Sequence, residues 1–201
     1  MKTSPDKYRE IITKEKNKIR TLFKSLRKNL EPDFVEKRSA IIYKKFLKIV
    51  NLNKFNSICV YVDFDNEVST KNIINYAIKN NIKVSIPYIV DKYKMKLKYI
   101  KDYDKDINRN TKFGNGEPFD YCKNAPIKEI SMFIIPALAF DEYCNRLGFG
   151  KGYYDNILKL NKKALRIGLA YDYQILPNLP KDNNDEMLDI IISENKVIKA
   201  D

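Results

Sequence analysis

Only six glycines occur in this 201-residue chain, and three of them, Gly148, Gly150 and Gly152, fall within five positions. They sit in the stretch Arg146-Leu147-Gly148-Phe149-Gly150-Lys151-Gly152-Tyr153-Tyr154-Asp155. Alternate glycines strip side chains from a loop and admit positive φ, so successive backbone N–H groups can close on an anion. Arg146 and Lys151 add fixed positive charge. Downstream, Tyr154, Ile157 and Leu158 follow helical spacing, which predicts a helix opening inside or just after the glycines with its N-terminus aimed at the same spot. Upstream, Met132–Asp141 is an apolar run suited to one buried strand, and open α/β sheets bind ligands in the loop after such a strand's C-terminal end. The physical reading is a phosphate cradle. The segment matches neither the P-loop nor the dinucleotide fingerprint. On the glycines alone, a flexible turn between strand and helix fits as well.

The rest of the chain alternates in texture. Ile19, Leu22, Phe23, Leu26 and Leu30 form an apolar stripe at helical spacing. A turn at Leu30–Asp33 starts a second helix, with Pro32 early where its missing N–H is harmless, running to about Val50. Ser57–Val62 is a β-type run, followed by polar residues 63–67 and a helix opened by Ser69 or Thr70 with Ile73, Ile74, Ala77 and Ile78 inward. Further strands are expected at Val84–Pro87, ending at the proline, and at Met95–Ile100. Residues 101–121 read as a long surface connection. A helix to about Leu160 and strands at Leu165–Ala170 and Leu188–Ile192 complete the pattern. Strands alternating with helices predict an α/β fold with a mainly parallel or mixed sheet, helices on both faces and a helical N-terminal segment. Length places it in a single domain, residues 1–201, with 1–15 as an N-terminal extension.

Composition removes several chemistries. The chain has no histidine, which excludes Ser-His-Asp and Cys-His catalysis and His-ligated zinc. Cys59, Cys122 and Cys144 are odd in number, lack C-x-x-C spacing and lie in or beside apolar stretches, so they read as small hydrophobes or idle thiols. No run of about 18 apolar residues and no secretory signal core is present, so a cytoplasmic protein without a membrane partner is expected. The basic opening Met1–Arg9 leaves an organellar transit peptide open. The formal net charge of +12 suits nucleic acid as well as small polyanions. Lysine, however, is scattered through nearly every segment, as an AT-rich coding sequence would also produce. Two other readings follow from these residues: an RNA-binding protein that stacks bases on its 14 tyrosines, and an ATP-dependent kinase or ligase with another acceptor on the same cradle.

Several segments, in order, resemble the 5-formyltetrahydrofolate cyclo-ligase (methenyltetrahydrofolate synthetase) family from about Lys16 to Asp189. The most specific are Ile135–Asp141 and Asn145–Asp155. Lys16 with Ile19-Arg20, Glu67–Thr70, Ile86-Pro87, Gly116–Pro118, Gly168–Ala170 and Asp185–Asp189 support them. The resemblance implies conversion of 5-formyltetrahydrofolate to 5,10-methenyltetrahydrofolate, driven by ATP with magnesium and releasing ADP and phosphate. The γ-phosphoryl group would pass to the formyl oxygen, and the neighbouring folate nitrogen would then attack the activated carbon and expel phosphate.

By the same resemblance, ATP contact falls on Lys16 and Arg20 and on the loop residues Arg146, Leu147, Gly148, Phe149, Gly150, Lys151, Gly152, Tyr153 and Tyr154. Lys151 and Arg146 carry the catalytic charge. Val62, Glu67, Phe149, Gly150 and Tyr154 are expected to face the folate, and Asp155 and Asp189 the magnesium ion. Read without the resemblance, Lys16 and Arg20 also fit a solvated helix face, Asp155 and Asp189 a helix cap and a strand-end charge, and Tyr154 core packing. The partner implied is a small folate, with or without a polyglutamate tail, and a monomer without nucleic acid is expected. The family often has His-Asp where this chain has Asn184-Asp185, and a basic residue where it has Tyr88. These departures put in doubt the local support of Asp189 and one anionic contact.

Overall fold

The computed structural model describes residues 5–92, 94–111 and 114–200, so the first four residues of the basic opening lie outside it. Helices α1 (Pro5–Lys28) and α2 (Pro32–Ile49) come first. Next are β1 (Ser57–Val60), α3 (Lys71–Lys79), β2 (Lys83–Ile89) and β3 (Met95–Ile100). A ribbon of β4 (Ile107–Asn108) and β5 (Glu117–Pro118) precedes β6 (Met132–Ile135). The hairpin β7 (Ala139–Asp141) and β8 (Arg146–Leu147) leads into α4 (Tyr153–Leu160). The chain ends with β9 (Leu165–Leu169), β10 (Ile175–Leu176), β11 (Ile190–Ile192) and β12 (Val197–Lys199).

The main sheet runs β12-β11-β9-β6-β1-β2-β3. Its five inner strands are parallel, and β3 and β12 close the two edges antiparallel. Inner strands are apolar on both faces because both are covered. Ile58, Val60, Met132 and Ile134 pack with Ile42 and Phe46 of α2 and Ile73, Ile74 and Ala77 of α3. The alternate residues Cys59, Phe133 and Ile135 pack with Ile157 and Leu158 of α4. The expected α/β architecture with helices on both faces is therefore present. A small second sheet, β10-β7-β8, packs against Phe23 of α1 through Leu138, Ala139 and Leu147.

Several local expectations are corrected. The run Met132–Asp141 is two strands, because Pro136 ends β6 and the chain leaves the main sheet to form β7. Both halves are buried, so hydropathy alone does not divide them. The glycine loop thus follows a hairpin and not the central strand directly. Pairing of β2 with β1 stops at Ser85, and Pro87 runs on against β3 alone, where a missing donor is tolerated. The stretch 101–121 is more than surface: Tyr103 and Ile107 enter the main core. Edge strand β12 is only three residues long, Val197-Ile198-Lys199, too short an apolar run to announce it. The helix predicted at the N-terminus extends back to Pro5, and Ile12 is buried. Its apolar stripe, however, is only half used. Phe23 is buried, while Leu22 and Leu26 are 55% and 44% exposed and Lys16 and Arg27 are 5% and 1% exposed.

That inversion follows the carboxylates: Lys16 pairs with Asp182 and Asp185, and Arg27 with Asp65 and Glu67. Asp141 is fully buried and its carboxylate accepts from the backbone N–H of Tyr143, Asn145 and Leu179 and from the Asn145 amide. Asp141→Ala strands the buried N–H groups of Asn145 and Leu179 at about 1–3 kcal/mol each and also releases that of Tyr143. Urea unfolding of this variant is expected to show a loss of more than about 3 kcal/mol, with part recovered in Asp141→Asn, whose amide oxygen still accepts. A loss below about 1 kcal/mol would show that the hairpin holds without it.

Candidate active site

A cavity of about 390 Å³ opens at the C-terminal edge of the parallel strands. One wall is Tyr61 and Val62 after β1 with Phe64 and Glu67, the floor is Pro87 and Pro136, and the opposite wall is the stretch Arg146–Asp155. Arg20 and Lys24 of α1 and Asp185 complete the rim. The loop's shape depends on glycine. Gly150 has φ 94°, and a Cβ there would stand 3.2 Å from the Arg20 guanidinium carbon. Gly152, at φ 69°, caps α4, so the first turn of that helix begins at the cavity. Gly116 presses from the other side: a Cβ there would come within 2.6 Å of Val62 Cγ1.

The charges are paired. Arg146 Nη2 donates to Asp155 Oδ1 at 2.7 Å, while its buried Nε has no partner. Lys16 Nζ donates to Asp185 at 2.5 Å and to Asp182 at 2.8 Å. Arg20 donates to the Gly148 carbonyl at 3.0 Å and to Asn17 Oδ1 at 2.7 Å. Its pKa is lowered by burial, against which Asp185 and Asp182 act. Lys24 lies 5.4 Å from the Phe149 ring centre, and Phe149 stacks on Phe64 at 5.7 Å.

This cavity, lined by the glycine loop, basic side chains and carboxylates, coincides with a match to the model of the 5-formyltetrahydrofolate cyclo-ligase family over residues 12–194. The chain belongs to that family. A 5-formyltetrahydrofolate cyclo-ligase of Mycoplasma genitalium is 33% identical over 183 residues, covering 89% of this chain and 97% of the relative. One from Haemophilus influenzae is 31% identical over 187 residues, covering 90% and 98%. The solution structure of Aquifex aeolicus 5,10-methenyltetrahydrofolate synthetase superimposes with a TM-score of 0.80 at 25% identity, over 92% of each chain. This family member is accordingly an enzyme, a ligase.

The fold gathers most of the expected residues of the family site. Val62, Glu67, Arg20 and the whole loop from Arg146 to Asp155 line the one cavity. Lys16 stands a turn before Arg20, linked to the rim through Asp185. Asp189 does not join them. It precedes β11, at the opposite edge of the sheet, where its carboxylate accepts from the backbone N–H of Arg166 at 2.7 Å and secures the start of β9. Besides Glu67, the acidic residues that line the cavity are Asp155 and Asp185, the latter four positions before Asp189 in the same matched stretch. Arg27, Lys24, Phe64 and Tyr61 were not anticipated either. Arg27 is hidden in a pattern where lysine and arginine normally mean solvent.

Hydroxyl and carboxyl groups around the ring wall are shifted upward. Burial holds the Tyr61 and Tyr154 phenols well above their usual range, and Tyr61 donates to the Val68 carbonyl at 2.8 Å. Burial pushes Glu67 up to about 8, with Arg27 and the Phe64 N–H pulling the other way. An unfolded glutamate releases its proton near 4.5, so the folded chain holds the extra proton between that value and about 8. Stability contributed by this group therefore falls as pH rises through that window. Glu67→Gln removes the slope. Thermal unfolding should show the variant gaining on the parent from about pH 5 to about pH 8, and a difference that is flat across that range would contradict the shift.

Proposed function

We propose that this cavity closes 5-formyltetrahydrofolate to 5,10-methenyltetrahydrofolate, using ATP and magnesium and releasing ADP and phosphate, through phosphoryl activation of the formyl oxygen. The observation that carries the reading is shared space. The glycine loop with Arg146 and Lys151, and the wall with Val62 and Glu67, face each other across the same 390 Å³. A triphosphate and a flat ring held there lie side by side.

The residues suit both ligands. Phosphoryl transfer depends on positioning and on neutralising spread negative charge, for which Arg20, Arg146, Lys151 and the amides of a wrapped loop are fitting equipment. The unpartnered Nε of Arg146 is a buried donor that a phosphate oxygen would satisfy. Magnesium takes one or two carboxylates together with phosphate oxygens. Asp155 and Asp185 are such a pair, and among the described residues no third His, Cys, Asp or Glu gathers with them into a closed metal site. When bound, magnesium and ATP supply the phosphoryl group that turns a poor amide-type oxygen into a good leaving group. The chain itself holds the ring: Val62 and Phe149 offer apolar contact to its faces, and the Glu67 carboxyl offers oxygens to its N–H edge. No protein nucleophile is required, which accords with a chain lacking histidine.

Purified protein is expected to produce the methenyl chromophore from 5-formyltetrahydrofolate only when ATP and magnesium are both present. Equal product without ATP would end the activation scheme. Lys151→Ala is expected to fold normally, since Lys151 is exposed, and to lose about 100-fold in turnover, the scale of removing one charge-stabilising donor. Turnover within about twofold of the parent would remove Lys151 from the mechanism.

A further inference from the structure

Arg27 has no place in the cavity lining, yet it is the most deeply buried charge on α1, at 1% exposure. Its Nη1 donates to Glu67 Oε1 and its Nη2 to Asp65 Oδ2, both at 3.1 Å. Its guanidinium lies 5.7 Å from the ring centre of Phe64 and 5.1 Å from that of Phe149. Those rings belong to the two facing walls of the site, so one side chain behind the cavity touches both. Its Nε is buried without a partner. A purely structural need at this position would be met at lower cost by an apolar side chain, because buried ion pairs seldom repay their desolvation.

The turn it grips has an uncommon backbone. Asp65 and Asn66 have φ of 49° and 59°, the left-handed region that Asp and Asn enter more readily than other residues with a side chain. The Asn66 amide donates to the carbonyls of Arg27 and Leu30, fastening the turn to the end of α1. Held this way, Glu67 has one oxygen on Arg27 and the other near the Phe64 N–H at 3.4 Å.

We propose that Arg27 is the positioning residue of the ring-binding wall, holding Glu67 aimed into the cavity and allowing it to ionise against a ligand that presents two adjacent N–H donors. A 2-amino-4-oxopyrimidine edge, as in a reduced pterin, has that pair. The inference rests on the function proposed above. The other groups facing Glu67 are acidic or phenolic: Asp63 and Asp65 in its own turn, Tyr61 after β1 and Tyr154 on α4. The Tyr171 hydroxyl binds its backbone carbonyl. Arg27 is the cation set against that company, and burial has already brought Glu67 up to about 8. Ionised Glu67 accepts both donors, so parent affinity for the folate rises with pH and levels off above that value.

The test compares Arg27→Met and Arg27→Lys with the parent. Glu67 titration is followed in the unliganded proteins by carbon-13 carboxyl NMR, assigned with Glu67→Gln. Binding of 5-formyltetrahydrofolate is measured by calorimetry from about pH 6 to about pH 9.5, with a non-hydrolysable ATP analogue as control. Arg27→Met is expected to move the Glu67 titration upward by about one unit or more, with about tenfold weaker folate binding at neutral pH for each unit. The deficit should shrink as pH rises. Arg27→Lys, which keeps the charge, should show a smaller deficit with the same pH dependence, and it carries the test if the methionine variant does not fold. An unmoved Glu67 titration, or a folate deficit equal at every pH, overturns the proposal and leaves Arg27 a packing element. If the parent binds no folate, the proposed function falls, and the NMR titration still decides whether Arg27 governs Glu67.

Discussion

The buried carboxylate of Asp141 is the fixture on which the site's geometry depends. It sits where β7 turns into β8 and gathers N–H groups from the hairpin and from Leu179. A buried carboxylate is tolerable only when its oxygens are supplied with donors, so the two segments are obliged to meet there. The hairpin carries Arg146 and the glycine loop. The segment after Leu179 carries Asp182 and Asp185. One constraint therefore brings the glycine loop and the acidic segment to the same edge of the sheet, although more than thirty positions separate Arg146 from Asp185.

The charges brought together this way are stored as pairs. Lys16 sits between Asp182 and Asp185, Arg146 on Asp155, and Arg27 between Asp65 and Glu67. In a half-buried cleft an isolated ammonium or guanidinium would carry a desolvation penalty of several kcal/mol. Pairing offsets part of that penalty as α1 turns a basic face inward. It also means that a ligand engaging these cations must exchange partners with carboxylates already in place, so selectivity falls to ligands whose own charges satisfy both members of each pair.

Much of this was legible in the chain. Periodicity placed the two N-terminal helices, and the alternation of β-type runs with helical segments announced the parallel sheet, because strands covered on both faces leave no polar alternate positions. The positive φ expected of the glycine loop is found at Gly150 and Gly152. What escaped is equally physical. Pro136 divides a run in which every β6 and β7 residue is buried, and burial carries no direction. Leu22 and Leu26 completed an apolar stripe that the helix does not use, since its inward face is set by Phe23 together with basic groups that find carboxylates far along the chain. Asp189 and Asp185 lie in the same acidic stretch, and only the strand start at Ile190 shows that the first is anchored to β9 and the second is free to reach the site edge.

A chain without histidine must place its proton chemistry elsewhere. Burial pushes the Cys59 thiol up to about 12 and the phenols of Tyr61 and Tyr154 higher than usual, so these groups stay neutral across the ordinary range. Glu67 arrives in that range from below, at about 8. The two walls then divide the work by kind of charge. One wall carries Arg146 and Lys151 among the backbone amides of the glycine loop. The other holds Glu67, whose carboxyl burial raises to about 8. On the function proposed above, a shift in pH acts on ring recognition through Glu67.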